Sequence, residues 1–225
     1  MPGRNIPLVT NQAYHIVNRG IASQPIYVDA HDYRRKLDTI FYYQNNQPPI
    51  RYSFFMRQSL RDREEILNNF RKNRFFLVDV LAYCLMPNHI HLLVLQKMPN
   101  GISTFMGQVA NSYTRYFNTR HNRKGPIFQG KFKAVRIETD DQLLHVSRYI
   151  HLNPYTSYIV KSMHELETYP YSSLSEYLTL HSKHYCETSI ILDHFQNVAS
   201  YRQFLYDRAE YQRNLESIKH LILED

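Results

Sequence analysis

The chain has 225 residues, a formal net charge of +7 and a pI near 9.3, with 43% hydrophobic residues, 19 tyrosines, 12 phenylalanines and no tryptophan. A chain of this length buries a core as one domain with additions. No apolar run approaches the roughly 20 residues of a membrane span, and the N-terminus lacks a charged-then-apolar signal, so we expect a soluble, cytoplasmic protein with no membrane partner. Cys84 and Cys186 are the only cysteines and neither lies in a Cys-x-x-Cys pair, which fits a reducing compartment and excludes a cysteine zinc finger. The basic balance makes a polyanion a plausible partner.

Residues 12–17 read as a first strand, closed by a turn at Asn18-Arg19-Gly20 that exposes a base. Apolar positions Tyr33, Leu37, Ile40 and Phe41 then recur at helical spacing, with Asp29 as N-cap. Residues 44–73 read as a basic insertion, a loop through Pro48-Pro49 followed by a short polar helix over 61–72. It is either a solvated surface or a nucleic-acid contact. Residues 75–84 and 89–95 are rich in Phe, Val and Leu and read as two strands of a hairpin turned by Met86-Pro87-Asn88. A helix follows, opened by Pro99-Asn100-Gly101 and running to about His121. Residues 132–137 suit a fourth strand with one wet, basic face, and Asp140-Asp141 starts a helix ended by Asn153-Pro154. Helical stretches at 190–195 and 201–223 complete the chain. Strand, helix, strand, strand, helix, strand, helix is the order of a ferredoxin-like or RRM-like α+β fold, an antiparallel sheet with helices on one face. The expected organisation is a core over 1–175 and a helical C-terminal extension over 176–225.

Two places carry chemistry-bearing side chains. In Leu85-Met86-Pro87-Asn88-His89-Ile90-His91, His89 and His91 are two apart on a strand and share a side, presenting two imidazoles together. That is half of a metal site, although a His-x-His pair is by itself more often structural or merely polar. On the later helix, His145, Tyr149 and Asn153 are spaced four apart and share a face. A second signal is a basic stretch in which Arg115, Arg120, Arg123, Lys124, Lys131, Lys133 and Arg136 interleave with Tyr116, Phe117, Phe128 and Phe132. Charges for phosphates and rings for unstacked bases make it, with Arg19, a candidate DNA-binding surface. Helix core plus a solvated face is the plainer account of it.

The segments Tyr14-His15-Ile16-Val17-Asn18-Arg19-Gly20, Tyr83-Cys84-Leu85-Met86-Pro87-Asn88-His89-Ile90-His91 and Tyr149-Ile150-His151-Leu152-Asn153-Pro154, in this order, resemble the single-tyrosine HUH transposases of the IS200-like class. Within that class they look most like the REP-associated tyrosine transposases. The likeness covers roughly residues 10–175. It implies a metal-dependent single-stranded DNA endonuclease and strand transferase that forms a 5′-phosphotyrosine intermediate at hairpin-forming repeats.

Carried over residue by residue, the resemblance makes His89 and His91 the two HUH histidines, Tyr149 the nucleophile and Asn153 the third metal ligand. Mg²⁺ or Mn²⁺ is the implied cofactor, although the imidazoles would equally suit zinc or nickel. Single-stranded DNA with hairpins is the implied partner, and a homodimer is allowed, since some relatives exchange the tyrosine helix between subunits and others act alone. Tyr113 and Tyr116 are competing nucleophiles, and His145 is either a proton-transfer group or structural. The alternatives from other classes are a non-cleaving DNA-binding descendant of a transposase and a relaxase-like nuclease, the latter disfavoured by the motif order.

Overall fold

A computed structural model describes residues 7–178, 185–210 and 213. Four strands, β1 (Ala13–Arg19), β2 (Val78–Met86), β3 (His89–Gln96) and β4 (Lys133–Arg136), form one sheet in the order β2-β3-β1-β4. With helix α1 (Ala30–Tyr43) after β1 and α4 (Gly101–Arg120) after β3, this is the ferredoxin-like order expected from the succession of elements. Between them lie α2 (Tyr52–Phe55) and α3 (Leu60–Asn73). After β4 come α5 (Asp140–Thr156), α6 (Met163–Glu167), α7 (Leu174–Tyr177), α8 (Ser189–Leu192) and α9 (Val198–Tyr206). The expected C-terminal helix over 201–223 is not continuous: α9 ends at Tyr206 and a turn follows at 207–208, while the residues beyond 210 lie, Arg213 excepted, outside the described residues.

The chain forms two compact units, and strands β2 and β3 contribute to both. The first holds residues 1–79, 87–89 and 94–136, the second 80–86, 90–93 and 137–225. In the first, β1 pairs antiparallel with β4 in the register His15↔Val135 and Val17↔Lys133. Helix α1 is capped by Asp29, whose carboxylate accepts from the amides of His31 and Asp32. The same carboxylate and the buried Asp32 clamp Arg120 at the end of α4, at 2.6 Å each. That clamp fastens α1 to α4, which pack side by side. Insertion helix α3 buries no residue, as its polar sequence predicts.

Two glycines mark close approaches of backbone. A Cβ on Gly20 would lie 2.4 Å from the Gln24 carbonyl oxygen, and one on Gly101 would lie 2.3 Å from that of Leu77. Neither position tolerates a larger residue without a shift of main chain.

In the second unit the core is aromatic and hydrogen-bonded. His151 is fully buried, with Nδ1 2.6 Å from the Tyr201 hydroxyl and Nε2 2.7 Å from Ser173 Oγ. Ser173 Oγ in turn accepts from the Tyr83 amide at 2.9 Å, and the Tyr177 hydroxyl donates to the Leu81 carbonyl at 2.7 Å. Burial pushes His151 down to about 3, so it is a neutral packing residue. Residues of α7 and α9 thus share one core with α5.

Two further expectations need correction. The helix bearing Tyr149 does not stop at Asn153-Pro154: Pro154 lies inside α5, which continues to Thr156. A proline there removes a single backbone hydrogen bond from the last turn, and the Ser157 amide still donates to the Asn153 carbonyl at 3.0 Å. The N-cap is Thr139, one residue before the expected start, with Oγ1 accepting from the Gln142 amide. Strand β4 also lacks a single basic face. Lys133 and Arg136 are three apart and so point to opposite sides; Lys133 is exposed beside Val135, whereas Arg136 is half-buried and donates to Gln12 Oε1 at 3.2 Å.

Candidate active site

The two-residue turn Pro87-Asn88 sets the start of β3 and hence the orientation of His89. The Gly20 amide donates to the Asn88 carbonyl at 2.8 Å, and a Cβ on Gly20 would lie 3.2 Å from that oxygen. Asn88 Nδ2 donates to the Ser23 carbonyl at 3.1 Å, which turns Oδ1 toward His89 Nδ1 at 2.6 Å. An amide oxygen can only accept, so His89 carries its proton on Nδ1 and the lone pair on Nε2. Burial, helped by the positive charge of Arg19, lowers His89 to about 4. At neutral pH it is therefore an uncharged imidazole with an unprotonated nitrogen, the form that binds a cation.

The second histidine sits with the tyrosine. His91 is 4% exposed, and its ring meets that of Tyr149 edge to face, with centroids 5.5 Å apart and planes at 87°. Tyr149 is itself 39% exposed on α5, so its ring is held at one edge while the side chain stays accessible. Asn153, 4% exposed, lies one turn further, and its Nδ2 donates to the Tyr149 carbonyl at 2.8 Å. That bond commits the amide nitrogen and leaves Oδ1 as the donor atom for a cation. Within the second unit, the His91 imidazole and the Asn153 amide oxygen are donor types that suit a divalent ion. Among the described residues there is no group of three or more His, Cys, Asp or Glu that could hold a metal ion.

The competing tyrosines have other tasks. Tyr113 is fully buried and donates to the Ile26 carbonyl at 2.5 Å, and burial raises its pKa far above that of a free phenol. It cannot reach a phosphate. Tyr116 is half-buried, lies 5.0 Å from the Arg35 guanidinium, and is likewise raised by burial. His145 Nδ1 accepts from Arg148 at 2.6 Å, and Arg148 stacks at 4.2 Å on Phe204 and donates to its carbonyl. His145 is thereby bound to its helix neighbour.

The basic residues divide. Arg19, Arg115, Arg123, Lys124, Lys131 and Lys133 are exposed, whereas Arg120 is consumed by Asp29 and Asp32, which hold its guanidinium charged. Sequence reasoning gave Asn88, next to the His-x-His segment, a place in the hairpin turn but no part in the site, and it assigned no role to Arg148 next to Tyr149.

Residues 46–153 match the family model described as "Transposase IS200 like". No curated protein sequence matches the chain. Among solved structures, the fold is similar to that of a REP-associated tyrosine transposase bound to a REP hairpin, with a TM-score of 0.55 and 13% identity over 83% of this chain and 90% of that one. The family match covers just under half of the chain and spans both histidines, Tyr149 and Asn153, and the fold is similar to that of a tyrosine transposase.

Proposed function

We propose that the protein nicks and rejoins single-stranded DNA at hairpin-forming repeats, with Tyr149 as nucleophile and His89, His91 and Asn153 as ligands of Mg²⁺ or Mn²⁺. The observation that carries this reading is the edge-on placement of an accessible Tyr149 against His91, with Asn153 one helical turn away. A bound divalent ion would supply charge neutralisation of the scissile phosphate's nonbridging oxygens. Tyr149 Oη attacks phosphorus; its proton is lost, the bond to the 3′ oxygen breaks, and that oxygen takes up a proton. The products are a free 3′-hydroxyl and a 5′-phosphotyrosine that conserves the bond energy, so a later 3′-hydroxyl can reverse the step without ATP. Hairpin DNA as the substrate is supported by the family match and by the ligand of the similar structure.

The test is incubation of the protein with Mn²⁺ and labelled hairpin oligonucleotides from repeats near its own gene. A protein–DNA adduct that survives denaturant in the wild type and is missing from Tyr149→Phe is the expected result. Binding without an adduct on any repeat would favour the non-cleaving alternative.

A further inference from the structure

A cleft of about 930 Å³ opens in the first unit between α1, the start of the insertion and α4. This is near the top of the roughly 300–1,000 Å³ range of pockets that enclose small ligands. Its lining contains five arginines and neither Asp nor Glu. Arg120 is neutralised by its two carboxylates, but Arg51, Arg57 and Arg115 are exposed along the walls. Arg35 lies flat against two rings, 4.2 Å from the centroid of Tyr52 and 5.0 Å from that of Tyr116, and its buried Nε has no hydrogen-bond partner.

Helix α4 gives the cleft Gln108, Asn111, Ser112, Arg115 and Thr119, a polar stripe at helical spacing opposite its buried face of Phe105, Val109, Tyr113 and Phe117. Within it, Gln108 Oε1 is buried and accepts no hydrogen bond. A buried acceptor without a donor is costly unless a ligand supplies one. Cationic walls, aromatic surface and an unsatisfied acceptor match the three parts of a nucleotide: phosphate, base face and exocyclic amine.

We propose that this cleft binds unpaired nucleotides of a DNA strand. Arg51, Arg57 and Arg115 meet phosphates, the half-buried Tyr116 offers its ring to a base, and Gln108 Oε1 accepts from a base amine. The proposal rests on the DNA substrate proposed above, but none of its residues belongs to the set that performs the chemistry. Thymine lacks an exocyclic amine whereas cytosine has one, so cytosine is preferred.

The test is fluorescence anisotropy of the full chain with labelled oligo-dC and oligo-dT of equal length, in chelator so that no cleavage intervenes, over a range of salt. Arg57→Ala/Arg115→Ala should weaken binding roughly tenfold and lower the slope of log affinity against log salt by about 1.4, or ~0.7 per phosphate contact. Gln108→Leu should keep the salt slope and erase the preference for oligo-dC. Unchanged affinity and slope in the double variant would overturn the proposal. Displacement of the oligonucleotide by free ATP at equal nucleotide concentration would overturn its strand assignment in favour of a mononucleotide, and tighter binding of oligo-rC would do so in favour of RNA. Adduct formation is scored separately in Mn²⁺: weakened binding by the double variant without any adduct in the wild type leaves the cleft standing and removes the nicking reading.

Discussion

Asn88 sets the tautomer of His89, because its amide is itself fixed by Ser23 and presents oxygen to Nδ1. Such outer partners of a metal-binding imidazole typically contribute 10–100-fold to metal affinity, as a rough range. Asn88→Leu should raise the Mn²⁺ concentration for half-maximal adduct by about that factor while leaving DNA binding in chelator unchanged; an unaltered Mn²⁺ requirement would remove Asn88 from the site. Lys36 poses a different problem, since it is fully buried, its Nζ makes no hydrogen bond, and it lies 5.0 Å and 4.8 Å from the rings of Tyr113 and Phe128. Burial lowers its pKa from 10.5 to about 7. Between those values the unfolded chain holds the extra proton, so this residue makes stability rise as pH increases from 7, at up to roughly 1.4 kcal/mol per pH unit. Lys36→Met should be more stable than the wild type at pH 7 in urea unfolding, and the gap should narrow by pH 9. A gap that does not change with pH would mean that Lys36 holds its proton throughout.

At the scale of elements, the turn before His89 depends on the close approach of a neighbouring main chain. Gly20 touches the turn before His89 so closely that a methyl group would meet Gln24 O, Ile26 Cγ2 at 2.8 Å and Asn88 O at 3.2 Å. Gly20→Ala should cost roughly 1–3 kcal/mol, as overpacking does, and should lower Mn²⁺-dependent activity along with the melting temperature; a variant as stable and active as wild type would show that the turn yields freely. Helix α9 supports the second unit in the same way through the fully buried Tyr201 and Leu205. Leu205→Ala should destabilise by about 2–5 kcal/mol, measured by urea unfolding. A loss under about 0.5 kcal/mol, the range of surface substitutions, would make α9 peripheral.

These elements also show which signals the sequence carried. Period-two and helical patterning located the four strands and the helices around them, and Asp29 was legible as a cap because its side chain acts locally. The end of α5 was not, because an asparagine-proline pair usually stops a helix and here the packed last turn overrides it. The faces of β4 were misjudged because Phe132-Lys133-Ala134-Val135-Arg136-Ile137 places its bases three apart, an odd spacing that a count of charges conceals. The fate of Arg120 depended on Asp29 and Asp32, about ninety residues away, and no local pattern announces such a pairing.

For the molecule as a whole, the order of strands and helices was enough to give the ferredoxin-like sheet, since β1 between β3 and β4 follows from the βαββαβ succession. The likeness of three short segments to a transposase family named the site residues, but only the coordinates put Tyr149 against His91 of the same chain. That placement predicts that Tyr149 serves the His91 of its own copy. An equimolar mixture of His91→Ala and Tyr149→Phe should therefore stay as inactive as either alone; recovery of adduct in the mixture would show that copies exchange the tyrosine helix.

The central claim is that Tyr149 becomes covalently joined to DNA, and mapping the adduct tests it most directly. Trypsin should release residues 149–161, bounded by Arg148 and Lys161, a peptide that also contains Tyr155 and Tyr158. After nuclease trimming, fragmentation by mass spectrometry should place a 5′-linked nucleotide on Tyr149. A nucleotide on Tyr155, Tyr158 or Tyr116, or one joined through its 3′ phosphate, would contradict the mechanism proposed here.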